Sequence, residues 1–193
     1  MSLVAVTGAG GALGQAVVAR LKQDGHTVSA PRSAEVDLLD AQATHAWADS
    51  LGEVDGLIHL VGGWKGGTDP ESTAWLHDQL VVTLQNATRA FLAPLKRSGG
   101  RFVTVSSKQV EHPSWDNAAY AAAKAGAEAW TFALSDEITA NVVAVNAIVT
   151  PEMRAEKPDA KFATFTDVAD IADAIALLLR ANVNRQRIAL YQG

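Results

Sequence analysis

The sequence lacks cysteine, an excess of positive charge and any long hydrophobic run. With no cysteine in 193 residues, disulfides, a thiol nucleophile and a thiolate metal site are excluded. Sixteen Lys and Arg residues against 21 Asp and Glu residues give a net charge of −5. No basic cluster is present, which argues against a nucleic-acid partner. No apolar run is long enough to span a bilayer, and a strand-like segment at the start leaves no room for a signal peptide. We therefore expect a soluble cytoplasmic protein without membrane partners.

Histidine is too scattered to predict a metal centre. No two of the five histidines lie three or four residues apart, so a zinc site is not expected and no metal ligands are assigned. We expect each one at the surface or at a strand end, namely His26, His45, His59, His77 and His112. The length predicts one domain, residues 1–193, with a core of its own.

A strand, a glycine turn and a helix open the chain. Residues 2–6 are apolar and of strand length, and an apolar stripe typical of a helix begins within the glycines that follow. Glycines there allow a tight turn and close approach of a pyrophosphate to the helix N-terminus. Glycine clusters also form plain turns, but here the flanking strand and helix favour a dinucleotide site. The predicted phosphate-binding positions are Gly8, Gly10, Gly11, Ala12, Leu13 and Gly14.

Strands and helices alternate along the rest of the chain. This alternation predicts an α/β Rossmann fold, a doubly wound parallel sheet of about seven strands with helices on both faces. Ligands of such sheets bind beyond the carboxyl ends of the strands. The strands are predicted at residues 2–6, 27–30, 36–38, 54–61, 101–106, 142–149 and 188–191, and the helices at about residues 13–24, 40–51, 71–96, 117–139 and 167–181, with a polar loop at 150–165.

A possible proton-transfer site follows the strand at residues 101–106. Tyr120 and Lys124 are four residues apart in an alanine-rich segment, so they share one helix face. An ammonium group beside a phenol favours the phenolate, so we expect Lys124 to lower the pKa of Tyr120. The Ser107 hydroxyl lies at the end of the preceding strand, where it can polarise a carbonyl oxygen. Taken alone, the Tyr120–Lys124 pair is also compatible with an ordinary surface pair.

Together these motifs resemble the short-chain dehydrogenase/reductase family over nearly the whole chain. The resemblance rests on the glycine turn, on Asp37-Leu38, on Ser107 with Tyr120 and Lys124, and on residues 145–151. It implies that Tyr120 is the acid/base, that Lys124 lowers its pKa and holds the nicotinamide ribose, and that Ser107 orients a carbonyl. It also implies that Asp37 and Leu38 border the adenine and that Thr150 contacts the nicotinamide amide. Further cofactor contacts are expected at Val61, Gly62 and Gly63.

The chain departs from the family pattern at two places. Leu60-Val61-Gly62 stands where the family carries an asparagine before Ala-Gly. The helical asparagine that often completes the family's proton relay has no clear counterpart. Gln79, Asn86, a water molecule or no group at all are the open alternatives.

A narrower resemblance links the chain to the quinonoid dihydropteridine reductases. It rests on the short length, the glycine-rich segment at residues 62–67 and the segment at residues 150–162. The Ser106-Ser107 pair departs from that pattern, in which the serine is missing, so a wider carbonyl-reductase role is equally open. The segment at residues 62–67 is also compatible with a plain connection.

The segment after the second strand indicates which cofactor is preferred. Sites that prefer NAD carry an acid there for the ribose 2′-hydroxyl, whereas this chain has Arg32 and Ser33 and no acid before Glu35. A guanidinium suits a 2′-phosphate, which favours NADP(H) with NAD(H) still possible. Arg32 as an ordinary turn residue, with both cofactors bound, is the alternative.

The sequence favours an enzyme with a small-molecule substrate over two other functions. A non-catalytic dinucleotide sensor is possible on the same fold, but it has no need of Ser107, Tyr120 and Lys124 together. A sugar epimerase or dehydratase usually has a larger C-terminal region than this chain. The alanine-rich face of the Tyr120 helix predicts a homodimer or homotetramer, unless those alanines pack against the protein's own sheet.

Overall fold

A computed structural model describes residues 2–191 as alternating strands and helices. The strands are β1 Leu3–Thr7, β2 Thr27–Ser29, β3 Gly56–His59, β4 Arg101–Ser107, β5 Thr139–Val145, β6 Ala147–Val149, β7 Phe165–Asp167 and β8 Arg187–Ala189. The α-helices are α1 Ala12–Gln23, α2 Ala41–Leu51, α3 Pro70–His77, α4 Thr83–Ser98, α5 Ala118–Leu134, α6 Pro151–Glu156 and α7 Val168–Leu178. No helix in residues 2–191 combines the length and apolar character needed to cross a membrane.

Six strands form one parallel sheet in the order β2-β1-β3-β4-β5-β8, which confirms the predicted doubly wound fold. Both faces are covered. Leu84, Phe91 and Phe102 belong to the apolar core under α2, α4 and α5, whereas Val17 and Ile171 belong to the core under α1 and α7. Burial of both faces explains why the central strands are nearly continuous apolar runs.

The strand order reverses beside β1, which has β2 on one side and β3 on the other. At the carboxyl end Thr7 pairs in register with His59. Connections leave toward opposite faces at such a point and open a crevice, which is where open α/β sheets bind their ligands.

The prediction of seven strands in this sheet is wrong at residues 36–38. This segment forms turns instead, because its polar groups are satisfied locally. The Asp37 carboxylate accepts the Leu39 N–H at 2.9 Å, and the Asn86 amide donates to the Leu38 carbonyl at 2.9 Å. Such an Asp-centred turn competes with strand formation.

The strand predicted at residues 142–149 is divided, and the loop after it is partly ordered. β5 ends at Val145, while β6 leaves the main sheet and pairs in parallel with β7 in a separate two-stranded sheet. The Thr150 hydroxyl then accepts the Met153 N–H at 3.2 Å and caps α6, which begins with Pro151. The loop predicted at residues 150–165 therefore contains a short helix and the start of β7.

The single helix predicted at residues 71–96 is interrupted by a π-helical turn at Asp78–Val82. α3 is capped by Asp69, whose carboxylate accepts the Ser72 N–H at 2.8 Å, and the helix resumes as α4. π-Turns are rare and occur often at functional sites. This one lies directly beside the end of β3, since Thr83 contacts His59.

Candidate active site

The glycine turn after β1 is packed so closely that two of its glycines are obligatory. Gly8 has a φ of +71°, and a Cβ there would lie 2.6 Å from the Leu60 backbone. A Cβ on Gly14 would lie 2.2 Å from the Gly8 carbonyl oxygen. Gly10 differs, since nothing lies within 4 Å of its would-be Cβ. The turn is thus tight against the sheet and open on its outer side.

The N-terminus of α1 emerges from this turn and suits an anion. Gly11 is the N-cap with no side-chain cap, and the first turn contains no acidic residue. Unpaired N–H groups and the helix dipole attract negative charge at such an end. The Gln15 amide donates to the Gly10 carbonyl at 3.1 Å and braces the turn.

A cavity of about 1250 Å³ runs from the glycine turn across the ends of β1, β2 and β3. Nine of the predicted cofactor positions line it, namely Gly8, Gly10, Gly11, Arg32, Ser33, Asp37, Leu38, Val61 and Gly62. The remaining predicted residues, Ala12, Leu13, Gly14, Gly63, Ser107, Tyr120, Lys124 and Thr150, do not line it. Leu13 belongs to the core beneath α1, and the closest contact of a Cβ built on Gly63 would be the Trp75 ring at 2.3 Å.

Asn86, one of the relay candidates named above, hydrogen-bonds the turn that follows residue 37. Its amide donates to the Leu38 and Leu39 carbonyls at 2.9 and 3.3 Å. Asn86 therefore holds the turn at residues 38–39, which lines the cavity. Gln79 does line the cavity, at the π-turn.

Arg32 lies in the turn after β2 with its backbone held in place. Its N–H donates to the Glu35 carboxylate at 2.7 Å, and its carbonyl accepts the Glu35 and Val36 N–H groups. The side chain lines the cavity together with Lys22 and Ser33. Two residues with cationic side chains, Lys22 and Arg32, thus line the cavity.

The structure brings Ser107, Tyr120 and Lys124 together at the carboxyl end of β4. Ser107 is 3% exposed, and its hydroxyl oxygen accepts the Gln109 N–H at 3.2 Å. The Ser107 hydroxyl acts on the Tyr120 phenol, whose pKa it lowers. One helical turn further along α5, the Lys124 ammonium donates to the Val105 carbonyl at 2.9 Å. Alanine neighbours on α5 allow this close approach to the sheet.

The expected effect of Lys124 on Tyr120 is wrong in this arrangement. Burial raises the pKa of Tyr120 above its usual value, and the Ser107 hydrogen bond opposes that rise. Burial also lowers the pKa of Lys124 to about 8, opposed by the charge of Glu128. The ammonium is engaged by the Val105 carbonyl, so burial dominates at both groups.

His59 and Thr83 are polar site neighbours that the sequence interpretation missed. His59 is 2% exposed, its Nδ1 lies 2.9 Å from the Thr7 hydroxyl, and its Nε2 lies 3.4 Å from the Thr83 hydroxyl. Burial, followed by the charge of Lys124, lowers the pKa of His59 to about 3, so the ring is neutral at pH 7. His59 is at a strand end as expected but not at the surface. A lone polar residue closing an apolar strand was the available signal.

Two tryptophans stand exposed on neighbouring loops. Trp64 is 64% exposed and Trp115 is 78% exposed. The loops are joined because the Gly67 N–H donates to the Asp116 carbonyl at 2.7 Å. The 3₁₀ turn at Trp115–Asn117 leads directly into α5 and Tyr120. Exposed aromatic side chains thus lie on the two loops, one of which leads into the helix that carries Tyr120.

Comparison with known proteins identifies the family. A family model described as short chain dehydrogenase matches residues 33–164. The chain belongs to the short-chain dehydrogenase family. The matched region contains the serine, tyrosine and lysine described above, while the glycine turn precedes it.

Solved structures of similar fold span nearly the whole of this short-chain dehydrogenase. An oxidoreductase of the short chain dehydrogenase/reductase family from Burkholderia thailandensis has 23% identity and a TM-score of 0.85 over 98% of this chain and 90% of its own. A small-chain dehydrogenase in complex with NADPH has 19% identity and a TM-score of 0.84 over 98% and 96%. The protein lin1944 from Listeria innocua has 19% identity and a TM-score of 0.81 over 99% and 100%. No curated protein matches the chain.

Proposed function

We propose that this short-chain dehydrogenase reduces a carbonyl or quinonoid substrate with NAD(P)H, using Tyr120 as the proton donor. The observation that carries the proposal is the grouping of Ser107, Tyr120 and Lys124 at the carboxyl end of β4. Two observations indicate that a nicotinamide cofactor fits this chain. The glycine turn leaves no room for a side chain at Gly14 but open space at Gly10, and α1 begins there without an acidic residue.

The residues divide the chemistry between them. A nicotinamide cofactor supplies the hydride when it is bound. Because burial raises the pKa of Tyr120, its hydroxyl is protonated at neutral pH and can give that proton to the substrate oxygen or nitrogen. The Ser107 hydroxyl hydrogen-bonds the same heteroatom as negative charge develops on it. Lys124, with its pKa near 8, can return a proton to Tyr120 after each cycle.

The turn after β2 supports a preference for NADPH. Arg32 and Ser33 follow the carboxyl end of β2 and line the cavity, and they suit a 2′-phosphate through charge-assisted hydrogen bonds. We expect Arg32→Ala to lower the NADPH/NADH ratio of kcat/KM at least about tenfold, since one such bond contributes about 1.5–3 kcal/mol. Arg180→Ala, at another exposed arginine, should leave the ratio unchanged. An unchanged ratio in Arg32→Ala would contradict the assignment.

Two substrate classes remain as proposals. The exposed rings of Trp64 and Trp115 favour a planar substrate, such as quinonoid dihydropterin or a quinone, because flat π systems stack on indole. The Ser107–Tyr120 pair equally suits a simple ketone or aldehyde. Oxidation of NADPH should be measured with quinonoid dihydropterin beside a panel of ketones, aldehydes and quinones.

Tyr120→Phe tests the proposed acid. The substitution keeps the ring packed against Leu76, Leu80 and Ala123 and removes only the hydroxyl. We expect kcat to fall at least about a hundredfold, the usual contribution of a positioned acid, while cofactor affinity changes little. Full activity in Tyr120→Phe would refute the mechanism. Tight NADPH binding without turnover of any substrate by the wild type would instead favour the sensor function.

We also propose a homodimer, or a homotetramer, formed through α5. Ala121, Ala123 and Ala127 pack inside the protein's own fold, but an opposite stripe of α5 is exposed. That stripe consists of Ala122, Ala125, Gly126 and Ala129. Small side chains allow two helices to approach closely. If this stripe forms the interface, light scattering should show a smaller assembly in Ala125→Glu than in the wild type, and an unchanged mass would exclude it.

A further inference from the structure

A partly buried cluster of charged and polar side chains lies behind Ser107, on the side of the last strand. We name it the Arg187 cluster, and it consists of Glu111, Glu128, Arg187 and Tyr191. Arg187 Nε lies 3.1 Å from each Glu128 carboxylate oxygen, and Nη1 donates to the Tyr191 hydroxyl at 2.8 Å. Nη1 also contacts the Glu111 carboxylate. One guanidinium thus links β8, α5, the segment after β4 and the segment after β8.

Stability alone is a poor reason for this arrangement. The Arg187 and Glu128 side chains are only 18% and 8% exposed. Moving both charges out of water costs several kcal/mol per ion, and well-packed apolar residues often replace such pairs without loss of stability. What a planar guanidinium provides that apolar residues cannot is a fixed set of directed donors.

One of those donors points at the proposed active site. Arg187 Nη2 donates to the Ser107 carbonyl at 3.1 Å. Ser107 is the last residue of β4, and its hydroxyl is the one that lowers the pKa of Tyr120. Glu128, whose carboxylate binds Arg187, is one helical turn beyond Lys124 on α5, and its negative charge raises the pKa of Lys124. Arg187 is therefore tied both to Ser107 and to the helix that carries Tyr120 and Lys124.

We propose that Arg187 is a positioning residue that fixes the end of β4, and through it the Ser107 hydroxyl, relative to Tyr120 on α5. The inference rests on the proposed function for the contribution of Ser107 to catalysis. The backbone carbonyl and the hydroxyl belong to one residue, so a peptide that rotates without its guanidinium partner carries the hydroxyl away from Tyr120. Misplacement of a catalytic group by about 1 Å can lower a rate about a hundredfold.

Arg187→Met tests the inference, with Arg185→Met as the matched control. Arg185 is a nearby arginine whose ion pair with Asp136 is exposed, at 59% and 73%. We expect kcat to fall at least about tenfold in Arg187→Met and to stay within twofold in the control. The affinity for NADPH should change less than twofold in both, because no member of the cluster lines the cavity.

A second substitution separates positioning from stability. Arg187→Met leaves the Glu128 carboxylate buried without its partner, which lowers the melting temperature. In the Arg187→Met/Glu128→Gln double variant that charge is gone, so the melting temperature should recover while kcat stays low. Recovery of kcat together with the melting temperature would show that the cluster is only structural, and the inference would be wrong.

A double-mutant cycle with Ser107→Ala tests whether Arg187 affects kcat through Ser107. If Arg187 acts through Ser107, then Arg187→Met should lower kcat no further in a Ser107→Ala background. Additive losses would show that Arg187 acts on another group and would overturn the inference.

A measurement without turnover keeps the inference separate from the proposed function. The chain has only two tyrosines, so protein labelled with ¹³C at the tyrosine Cζ gives two NMR signals, which Tyr191→Phe assigns. Loss of the Ser107 hydroxyl from its place beside Tyr120 should move the Tyr120 signal, in the same direction in Ser107→Ala and Arg187→Met, and not in Arg185→Met. An unmoved signal in Arg187→Met refutes the inference whether or not the protein turns over any substrate. A moved signal without any turnover supports it while the proposed function fails.

Discussion

Removing the buried ammonium of Lys124 should make the protein more stable at neutral pH. Lys124 is 9% exposed, and burial lowers its pKa from 10.5 to about 8. Each pKa unit corresponds to about 1.4 kcal/mol, so holding the charged form inside the fold costs about 3 kcal/mol. Lys124→Met also removes the hydrogen bond to the Val105 carbonyl, which costs about 1 kcal/mol. The net gain in the free energy of unfolding at pH 7 is about 2 kcal/mol.

The sign of this effect depends on pH. Below about pH 8 both the folded and the unfolded chain carry the Lys124 proton, so the cost is present in full. Between about pH 8 and pH 10.5 the folded protein has released that proton while the unfolded chain still holds it, so wild-type stability rises. Above that interval the cost has gone, and only the lost hydrogen bond separates the two proteins. Lys124→Met should then be the less stable one by about 1 kcal/mol.

Urea unfolding at pH 7 and above pH 10.5 measures this reversal. The raised pKa of Tyr120 also affects stability at high pH, but it acts on both proteins and largely cancels in the difference. Lys96→Met is the control, because the exposed Lys96 side chain pairs with Glu137 at the surface. The control should stay within about 0.5 kcal/mol of wild type at both pH values. A Lys124→Met variant less stable than wild type at pH 7 would refute the reasoning.

The remaining predictions concern His59 and the glycine turn. The pKa of His59 is about 3 in the folded protein and about 6.5 in the unfolded chain, so wild-type stability should fall as the pH drops from about 6.5 toward 3. His59→Gln should show a smaller fall when unfolding is measured across this pH range. Parallel pH profiles for the two proteins would contradict a buried neutral imidazole. Gly14→Ala should destabilise by at least about 2 kcal/mol, since its Cβ would meet the Gly8 carbonyl at 2.2 Å. Gly10→Ala has open space and should fold as wild type, so equal melting temperatures for the two alanine variants would disprove the packing argument.

The fold could be predicted because its signals are local. Apolar strands alternating with amphipathic helices indicate a parallel sheet wherever they occur. The strand prediction failed at residues 36–38 because this segment is only three residues long. Their apolar side chains suit a strand, but the Asp37 carboxylate and the Asn86 amide from α4 satisfy the backbone in turns. That second contact spans 48 positions, and no local pattern reveals it.

The proximity of Ser107, Tyr120 and Lys124 was predictable from the sequence, but the electrostatics of these three residues was not. Spacing places Tyr120 and Lys124 on one face of α5, and the strand end brings Ser107 to them. The direction in which the pKa of Tyr120 shifts depends instead on burial and on the Val105 carbonyl that binds the Lys124 ammonium. Those quantities belong to the packed structure.

The Arg187 cluster illustrates a contact that sequence patterns cannot indicate. Arg187 lies 80 positions from Ser107 and 59 from Glu128. A lone arginine in a short C-terminal strand carries no motif. β8 is the edge strand and pairs with β5, and β5 in turn lies next to β4. Only this strand order brings Arg187 to the end of β4.

Deuteride transfer tests the central claim most directly. NADPH deuterated at the transferring nicotinamide carbon is incubated with the substrate panel, and the products are examined by mass spectrometry for the wild type and Tyr120→Phe. The account predicts that the wild type places deuterium on the carbon of the reduced C=O, or on the quinonoid ring. It also predicts that Tyr120→Phe, with cofactor affinity intact, forms at least about a hundredfold less labelled product. Equal labelling by the two proteins would contradict the role of Tyr120, and unlabelled product from the wild type would contradict hydride transfer from NADPH itself.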